Sequence, residues 1–470
     1  MIKFGTAGWR AIIGDEFTFH NVRMVSQAIC NYLKRKELAA KGTVIGYDTR
    51  FLSEKFALEA AKVFTYNRIK TYLCTRDVPT PALCFAIRQR RAAGGVNFTA
   101  SHNPPEYNGM KIFTAEGAES LPQVTNEVEK ELSSLERTGF RDSYYLEEGY
   151  FHMINPQEDY LALLRQKVDF SLIRDSQMKM VVDLLYGTAR DYLDRILLEE
   201  GCQLKVIHNF RDPYFGGYSP ESKEENLSEL KQMLENSDYQ IGLATDADSD
   251  RFGCLDRGGD FVPANNLLPL LLDYLVKRKG WRGGVARTVA TSHLFDLVAQ
   301  KHGLRVYETP VGFKYIGELI LQNKVIMGGE ESAGFSIKEH IPEKDGILAC
   351  LMVAEMAAYH SKSLSQALVE LCQEIGARLY NRKVTVSLTP YLSKLLELRL
   401  QHPPKSLDDL AVKQVVSLDG LKLLFEDGSW FLIRFSGTEA VVRYYAEADT
   451  PEKLERIIES GRRYFFRRRA

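Results

Sequence analysis

The sequence predicts an α/β protein: three consecutive α/β domains with mixed sheets, followed by a smaller C-terminal α+β domain. Two observations carry the class. Three segments more than 100 residues apart share one plan, an apolar run, a small or polar loop and then an amphipathic helix pattern, and short strands alternating with long helices form α/β units. The last 90 residues instead place their strands first and a helix last, an α+β order. Length bounds the number of units: 470 residues with 45% hydrophobic and 26% charged correspond to about three or four domains at roughly 100–200 residues each.

In chain order, the apolar run 43–48 precedes a helix from about Ser53. The run 179–184 leads through Gly187 into a helix ending near Gly201, and the run 287–291 leads into a helix ending near Gly303. In the last portion, 383–387, 420–425, 430–435 and 441–447 read as strands before a final helix from Pro451. Polar or glycine-rich stretches at 139–149, at Gly258-Gly259 and around Asn381 read as linkers. The expected domains are therefore 1–145, 146–257, 258–380 and 381–470. Their common plan makes an internal repeat a hypothesis rather than a letter-by-letter match.

Charge and cysteine usage narrow the class of function. The 61 Lys and Arg nearly cancel 62 Asp and Glu for a formal charge of -1, which argues against a nucleic-acid partner. Arg462, Arg463, Arg467, Arg468 and Arg469 are a local exception and read first as a solvated helix end favoured by the helix dipole. The seven cysteines are odd in number and lack a CxxC spacing, as expected of reduced thiols. An apparent strand follows Met1 in place of a signal region, and no apolar stretch of about 18 residues occurs. A cytoplasmic protein with no membrane partner is expected.

Four loops carry chemistry. In Thr99-Ala100-Ser101-His102-Asn103-Pro104-Pro105-Glu106-Tyr107-Asn108-Gly109-Met110-Lys111, a serine flanked by His102, Asn103 and Lys111 has the neighbours that a nucleophile or phosphate carrier needs. Taken alone, the segment equally describes an Asn-Pro-Pro turn. In Asp246-Ala247-Asp248-Ser249-Asp250-Arg251, three alternate carboxylates converge on one hard cation. An EF-hand needs Gly and Glu where Arg251 and Arg257 stand, so a metal such as Mg²⁺ with open positions fits better than calcium.

In Gly328-Gly329-Glu330-Glu331-Ser332-Ala333-Gly334, a carboxylate and a hydroxyl beside glycines suit polyol recognition, with Lys344 and Asp345 close in sequence. Arg434-Phe435-Ser436-Gly437-Thr438-Glu439 with Arg443 combines hydroxyls, a glycine turn and two arginines for a dianion. Phe4-Gly5-Thr6-Ala7-Gly8-Trp9-Arg10 adds an arginine at a glycine-rich turn. A carrier serine, a metal loop, a polyol loop and a separate phosphate cradle together describe a phosphosugar.

These five motifs, in this order, resemble the α-D-phosphohexomutase superfamily of phosphoglucomutases and phosphomannomutases. The resemblance implies four domains around a central cleft, with Ser101 as the phosphoserine and Asp246, Asp248 and Asp250 holding one Mg²⁺ together with a Ser101 phosphate oxygen. It implies that Glu330 and Ser332 grip sugar hydroxyls and that Arg434, Ser436, Gly437, Thr438 and Arg443 hold the phosphate that is not transferred. Arg10, His102, Lys111, Arg251 and Lys344 match positions lining the transfer site, and Gly312 belongs to the substrate loop Thr309-Pro310-Val311-Gly312-Phe313-Lys314. The acid and base roles are left open among Lys111, His102 and Lys344.

The implied reaction interconverts glucose 1-phosphate and glucose 6-phosphate, primed by glucose 1,6-bisphosphate. Phe435, Ala440 and Val311 depart from common family patterns. Gly334 stands where the bifunctional phosphomannomutase branch has histidine, so GEESAG favours glucose over mannose and glucosamine. The alternatives are a phosphomannomutase or bifunctional enzyme, a glucose 1,6-bisphosphate synthase, and a non-catalytic phosphosugar sensor. A sensor would need neither Ser101 nor all three aspartates.

Overall fold

The computed structural model describes residues 2–5, 7–437 and 440–466. Its first sheet runs, edge to edge, Trp9–Ile12, Tyr107–Thr114, Gly94–Phe98, Thr43–Tyr47, Thr71–Cys74 and Phe151–Ile154. The second runs Phe252–Asp256, Ile241–Thr245, Lys179–Asp183 and Gln203–Ile207. The third runs Phe335–Ile337, Val325–Gly329, Gly284–Thr288 and Val306–Thr309. The fourth is wholly antiparallel and runs Tyr380–Ser387, Val441–Ala448, Trp430–Phe435, Leu421–Phe425, Leu410–Val416 and Ser406–Leu407.

The repeat anticipated from the shared plan is present as topology. In each of the first three sheets a parallel trio carries an antiparallel return strand on the same side: Tyr107–Thr114 beside Gly94–Phe98, Phe252–Asp256 beside Ile241–Thr245, and Phe335–Ile337 beside Val325–Gly329. The connection between each such pair leaves the carboxyl end of the trio's outer strand, where ligands collect in open α/β sheets. All three α/β candidate loops, at 99–106, 246–251 and 330–334, occupy that one place.

Three sequence expectations need correction. Phe151–Ile154 pairs in parallel with Thr71–Cys74, so it extends the first sheet although it lies beyond the expected boundary at 145; the polar stretch at 139–149 is a loop that returns to its own sheet. Asn381 is no linker but the second residue of the strand Tyr380–Ser387, and its side-chain oxygen accepts from Asn265 Nδ2 at 2.8 Å. Among the described residues the first strand begins at Trp9 rather than directly after Met1. The helix Pro390–Leu400, unforeseen, starts with proline in its first turn and a Thr389 side chain accepting from the Leu392 amide, a recognisable start signal.

The first three domains share packing and the fourth stands more apart. The helix Gly346–His360 is apolar all round and buried along nearly its whole length, as a helix enclosed on every side must be, and it belongs to a core shared with residues of the first and second domains. The fourth domain has its own core around Leu423, Phe431 and Ile457. It meets the third through a small apolar patch of Val289, Ala290, Trp430, Leu432 and Tyr445. Beside that patch Lys422 Nζ donates to the Val289 carbonyl at 2.8 Å and lies 3.2 Å from Glu308 Oε1. Among the described residues no helix is long and apolar enough to cross a membrane.

Candidate functional site

Ser101 is held in the left-handed region at φ 51° and is buried. Its amide donates to Thr99 Oγ1 at 2.9 Å and its hydroxyl donates to Asp246 Oδ2 at 3.0 Å. Such a backbone conformation persists only where the surroundings over-determine it, and here Arg50 does so. The Arg50 guanidinium donates to the carbonyls of Pro104 at 2.8 Å, Tyr107 at 3.0 Å, Ser101 at 2.5 Å and Asn103 at 2.6 Å. Its Nε donates to Asp48 Oδ2 at 3.1 Å, and Phe215 of the second domain covers its face at 5.1 Å. Sequence reasoning passed over Arg50, though Asp48-Thr49-Arg50 follows a trio strand at the same carboxyl end as the other loops.

The three aspartates converge as expected, with one ligand atom from each lying within 4.8 Å of the others, all buried. Asp246 Oδ1 accepts from the Arg251 amide at 3.0 Å. Asp248 Oδ2 accepts from Thr80 Oγ1 and from Lys111 Nζ, both at 2.6 Å, and Asp250 Oδ2 accepts from Lys111 Nζ at 2.7 Å. Oδ1 of Asp248 and Oδ1 of Asp250 are buried without a hydrogen-bond partner. Buried carboxylate oxygens without partners are costly, and these two face a hard-cation donor set of the kind that suits Mg²⁺. Burial, reinforced by Asp250 and Asp248, pushes the Asp246 carboxyl well above the usual carboxylate range. Burial acts the same way on Asp250, but Lys111, Lys344 and Arg251 outweigh it and hold that carboxyl low.

Cations surround this cluster. Lys344 Nζ lies 3.4 Å from Asp250 Oδ2 and 2.7 Å from Glu343 Oε1. Asp248 and Asp250 outweigh burial to raise Lys111, and Asp250 with Glu343 does the same for Lys344, so both stay protonated. Arg10 Nη1 donates to Asn103 Oδ1 at 2.6 Å. Burial, with Arg251 and Arg10 nearby, drives the His102 imidazole well below its ordinary value, and its Nδ1 stands 3.4 Å from Ser101 Oγ.

The segment bearing Lys344 is tied to two other domains. Glu343 Oε2 accepts from the Glu119 amide at 2.9 Å, and Arg88 donates to the His340 carbonyl at 2.7 Å. Asp345 accepts from Tyr160 Oη at 2.8 Å and contacts His340 Nε2 at 2.7 Å. The Gly346 amide donates to the Ser249 carbonyl at 3.0 Å, so the Lys344 loop lies directly against the aspartate loop.

Glu330 is buried; its Oε1 accepts from the Gly312 amide and its own amide donates to the Gly334 carbonyl, both at 3.0 Å. Burial lifts its carboxyl to about 7, against the lowering charges of Lys344 and Arg251. A Cβ on Gly334 would stand 2.8 Å from Glu330 Oε2 and 2.8 Å from Lys344 Cδ, so no side chain fits there without displacing both. Ser332 is half-buried at the tip of the same loop. In the fourth domain Arg434 Nε donates to Asp419 Oδ2 at 3.0 Å and Arg443 Nη1 donates to Ser436 Oγ at 2.9 Å. Gly437 is exposed beside them, and Thr438 lies outside the described residues, as do Thr6 of the first motif and Arg467, Arg468 and Arg469 of the terminal cluster.

Ser101, His102, Lys111, Asp246, Asp248, Asp250 and Lys344 thus form one connected cluster, with Arg10 joined to the serine loop through Asn103. Arg251 borders it, 3.9 Å from Asp250 Oδ1. Glu330 and the Arg434–Arg443 group come from the third and fourth domains. A buried hydroxyl beside an acidic triad able to hold a cation, ringed by fixed positive charge, is equipped to move a phosphoryl group. Arg50, Thr80, Glu343 and Asp419 are the structural partners that the sequence left unnoticed.

Models described as phosphoglucomutase/phosphomannomutase alpha/beta/alpha domains I, II and III match residues 1–138, 158–259 and 263–375. The model of the phosphoglucomutase/phosphomannomutase C-terminal domain matches residues 395–462. The phosphoglucomutase/phosphomannomutase of Thermococcus kodakarensis is 30% identical, with 97% of each chain covered. The phosphoglucomutase of Komagataeibacter xylinus is 30% identical, covering 95% of this chain and 87% of its own. A crystal structure from Thermus thermophilus, described as a putative phosphomannomutase, superposes with a TM-score of 0.84 at 31% identity over 98% of each chain. Further relatives, at 28% identity, are described as probable phosphoglucosamine mutases.

Proposed function

The chain belongs to the phosphoglucomutase/phosphomannomutase family of intramolecular phosphotransferases, and from that premise we propose that it interconverts glucose 1-phosphate and glucose 6-phosphate. Ser101 carries the phosphoryl group, and glucose 1,6-bisphosphate is both intermediate and primer. The observation that carries this reading is the Ser101 hydroxyl at 3.0 Å from Asp246 Oδ2, within a buried cluster that includes Lys111 and Lys344.

Charge sets the demands on the residues. Three aspartates bring -3 and a phosphoserine about -2. Asp246, Asp248 and Asp250, with a phosphoryl oxygen on Ser101, would hold one Mg²⁺, which would supply Lewis-acid charge to the transferring group. Lys111, Lys344, Arg10 and Arg251 offset the remainder, so that a second anion, the phosphosugar, can approach.

In the first transfer a sugar hydroxyl oxygen bonds to phosphorus as the bond from phosphorus to Ser101 Oγ breaks. The hydroxyl proton leaves to a base as the serine oxygen is set free. The returning transfer reverses these events with the other phosphate of the bisphosphate. Lys111 and Lys344, both protonated, act as charge stabilisers, and His102, held neutral and well below its ordinary value by burial and the neighbouring arginines, is a weak proton acceptor. Glu330 and Ser332 orient the sugar ring, and Arg434, Ser436, Gly437, Thr438 and Arg443 hold the phosphate at rest. A fourth domain with its own core can close over the site and keep out water that would otherwise discharge the phosphoserine.

The choice of glucose is supported by Gly334, where a Cβ would stand 2.8 Å from both Glu330 Oε2 and Lys344 Cδ, so that the histidine of the mannose and glucosamine branches would require both side chains to shift. A coupled assay with the 1-phosphates of glucose, mannose and glucosamine, supplied with Mg²⁺ and glucose 1,6-bisphosphate, tests this. Glucose 1-phosphate should turn over fastest. Faster turnover of mannose or glucosamine phosphate overturns the sugar assignment, and no turnover of any of them overturns the mutase.

A further inference from the structure

Asp419 occupies the turn between the strands Leu410–Val416 and Leu421–Phe425, at the point where the fourth domain touches the third. One oxygen, Oδ2, accepts both from Arg434 Nε and from the Val311 amide, each at 3.0 Å. The next amide along, that of Gly312, donates to Glu330 Oε1 at 3.0 Å. A continuous line therefore runs from the phosphate-binding arginine through Asp419 and two consecutive backbone amides to the sugar-binding carboxylate. Gly420 fixes the turn tightly: at φ 80° its Cβ would meet the Ile433 carbonyl at 2.3 Å and Arg434 Cβ at 2.7 Å, so the turn rests on the backbone that carries Arg434.

We propose that Asp419 is a positioning residue that couples the Arg434 phosphate site to the Val311–Gly312–Glu330 sugar site, so that the two ends of the phosphosugar are held at one fixed spacing. A carboxylate on Nε fixes the plane of a guanidinium and thereby aims its Nη edge, the edge that pairs with a dianion. The same carboxylate holds the Val311 amide, and with it the neighbouring Gly312 amide that orients Glu330. The fourth domain meets the third through a small apolar patch and a few hydrogen bonds such as His293 N to Glu447 Oε1 and Lys422 Nζ to the Val289 carbonyl, and the Asp419 contact is the one that also reaches both ligand loops. Phosphate bound at Arg434 in this way favours the placement of Glu330 that the sugar requires, and the reverse follows by linkage.

The inference rests on the phosphosugar reading above, and the test separates the two. Binding of glucose 1-phosphate is measured by calorimetry in a Ser101→Ala background, which stops turnover. A double-mutant cycle is then built from Asp419→Asn and Arg434→Ala. Asp419→Asn is expected to weaken binding about tenfold alone and less than twofold when Arg434 is already alanine. Equal weakening in both backgrounds, or none, overturns the coupling. Should Asp419→Asn fail to melt cooperatively, Val311→Pro, which deletes the amide donor and also restrains the local backbone, is expected to weaken glucose 1-phosphate several-fold, and unchanged binding there overturns the proposal. If the Ser101→Ala protein itself binds none of the hexose 1-phosphates, the substrate reading fails independently of Asp419.

Discussion

The Thr80 hydroxyl donates to Asp248 Oδ2 at 2.6 Å while the Thr80 amide donates to the Asp248 carbonyl at 2.9 Å. The first domain thus grips an aspartate of the second at both backbone and side chain, and Asn97 Nδ2 in turn donates to Thr80 Oγ1 at 2.9 Å. With Oδ2 engaged in this way, Oδ1 of Asp248 is the oxygen left to a cation. Thr80→Val should weaken Mg²⁺ binding about 10–100-fold, the usual cost of losing a partner of a metal ligand. Calorimetric titration with Mg²⁺ measures this, and a dissociation constant within twofold of the parent would sink the idea.

Ser101→Ala removes the oxygen proposed to carry the phosphoryl group and leaves the cations in place. Turnover should fall to the assay limit while glucose 1-phosphate still binds. The intact mass should lose any increment of one phosphate seen in the parent. Undiminished activity in this variant removes Ser101 from the reaction.

Arg50 is buried, and its side chain serves four carbonyls and Asp48. Arg50→Met removes the guanidinium from all of them and leaves the buried Asp48 carboxylate, though still hydrogen-bonded to Ser53 Oγ, without its ion-pair partner, a loss of about 3–5 kcal/mol by analogy with broken buried ion pairs. Thermal melting should report the drop. In whatever folded fraction remains, phosphorylation of Ser101 should be lost, because the loop no longer has its left-handed turn enforced. A melting temperature equal to the parent's contradicts this account of the loop.

Gly334→His tests whether the histidine of the mannose branch can simply be restored. The Cβ alone collides with Glu330 and Lys344, so both must shift. KM for glucose 1-phosphate should rise at least tenfold with no gain on mannose 1-phosphate. A gain on mannose 1-phosphate would show that the loop yields more easily than this geometry allows.

Glu330 supplies the pH dependence. Burial raises its carboxyl to about 7, so below that pH it is largely protonated and loses acceptor capacity for sugar hydroxyls. KM should therefore fall as pH rises from about 6 to about 8 across this pKa. Glu330→Gln does not titrate and should keep only the limb due to the substrate phosphate, whose second ionisation lies near about 6. Superimposable KM profiles for the two proteins would rule out Glu330 as the titrating group.

Much of the site was legible because its chemistry is local. Ser101 with His102, the three alternate aspartates, and the glycine-flanked Glu330 each sit on a single short loop, where residue type and spacing state the chemistry, and Lys111 lies on the strand that follows the first of them. The loops also share one topological place, which the repeated strand, loop and helix plan already hinted at. What escaped was whatever depends on partners far apart in the chain. Arg50 reads as an ordinary surface arginine until its carbonyls gather around it, and Thr80 reads as a plain residue before a proline until Asp248 arrives from another domain. Asp419 reads as a turn residue until Val311 and Arg434 meet on one oxygen. The strand Phe151–Ile154 was misplaced for the same reason, since pairing with Thr71–Cys74 leaves no mark in local composition.

The sequence by itself determined the α/β class, the family resemblance and the residues expected to touch phosphate, metal and sugar, because residue type and spacing within one loop encode them. Only the tertiary structure decided how those loops are held: Arg50 around the serine turn, Thr80 on Asp248, Tyr160 on Asp345, and Asp419 between the last two domains. Each of these is a hydrogen bond between segments far apart in the chain that only the packed fold brings together. Their energy comes from shielding polar groups from water in a place that only the folded chain creates.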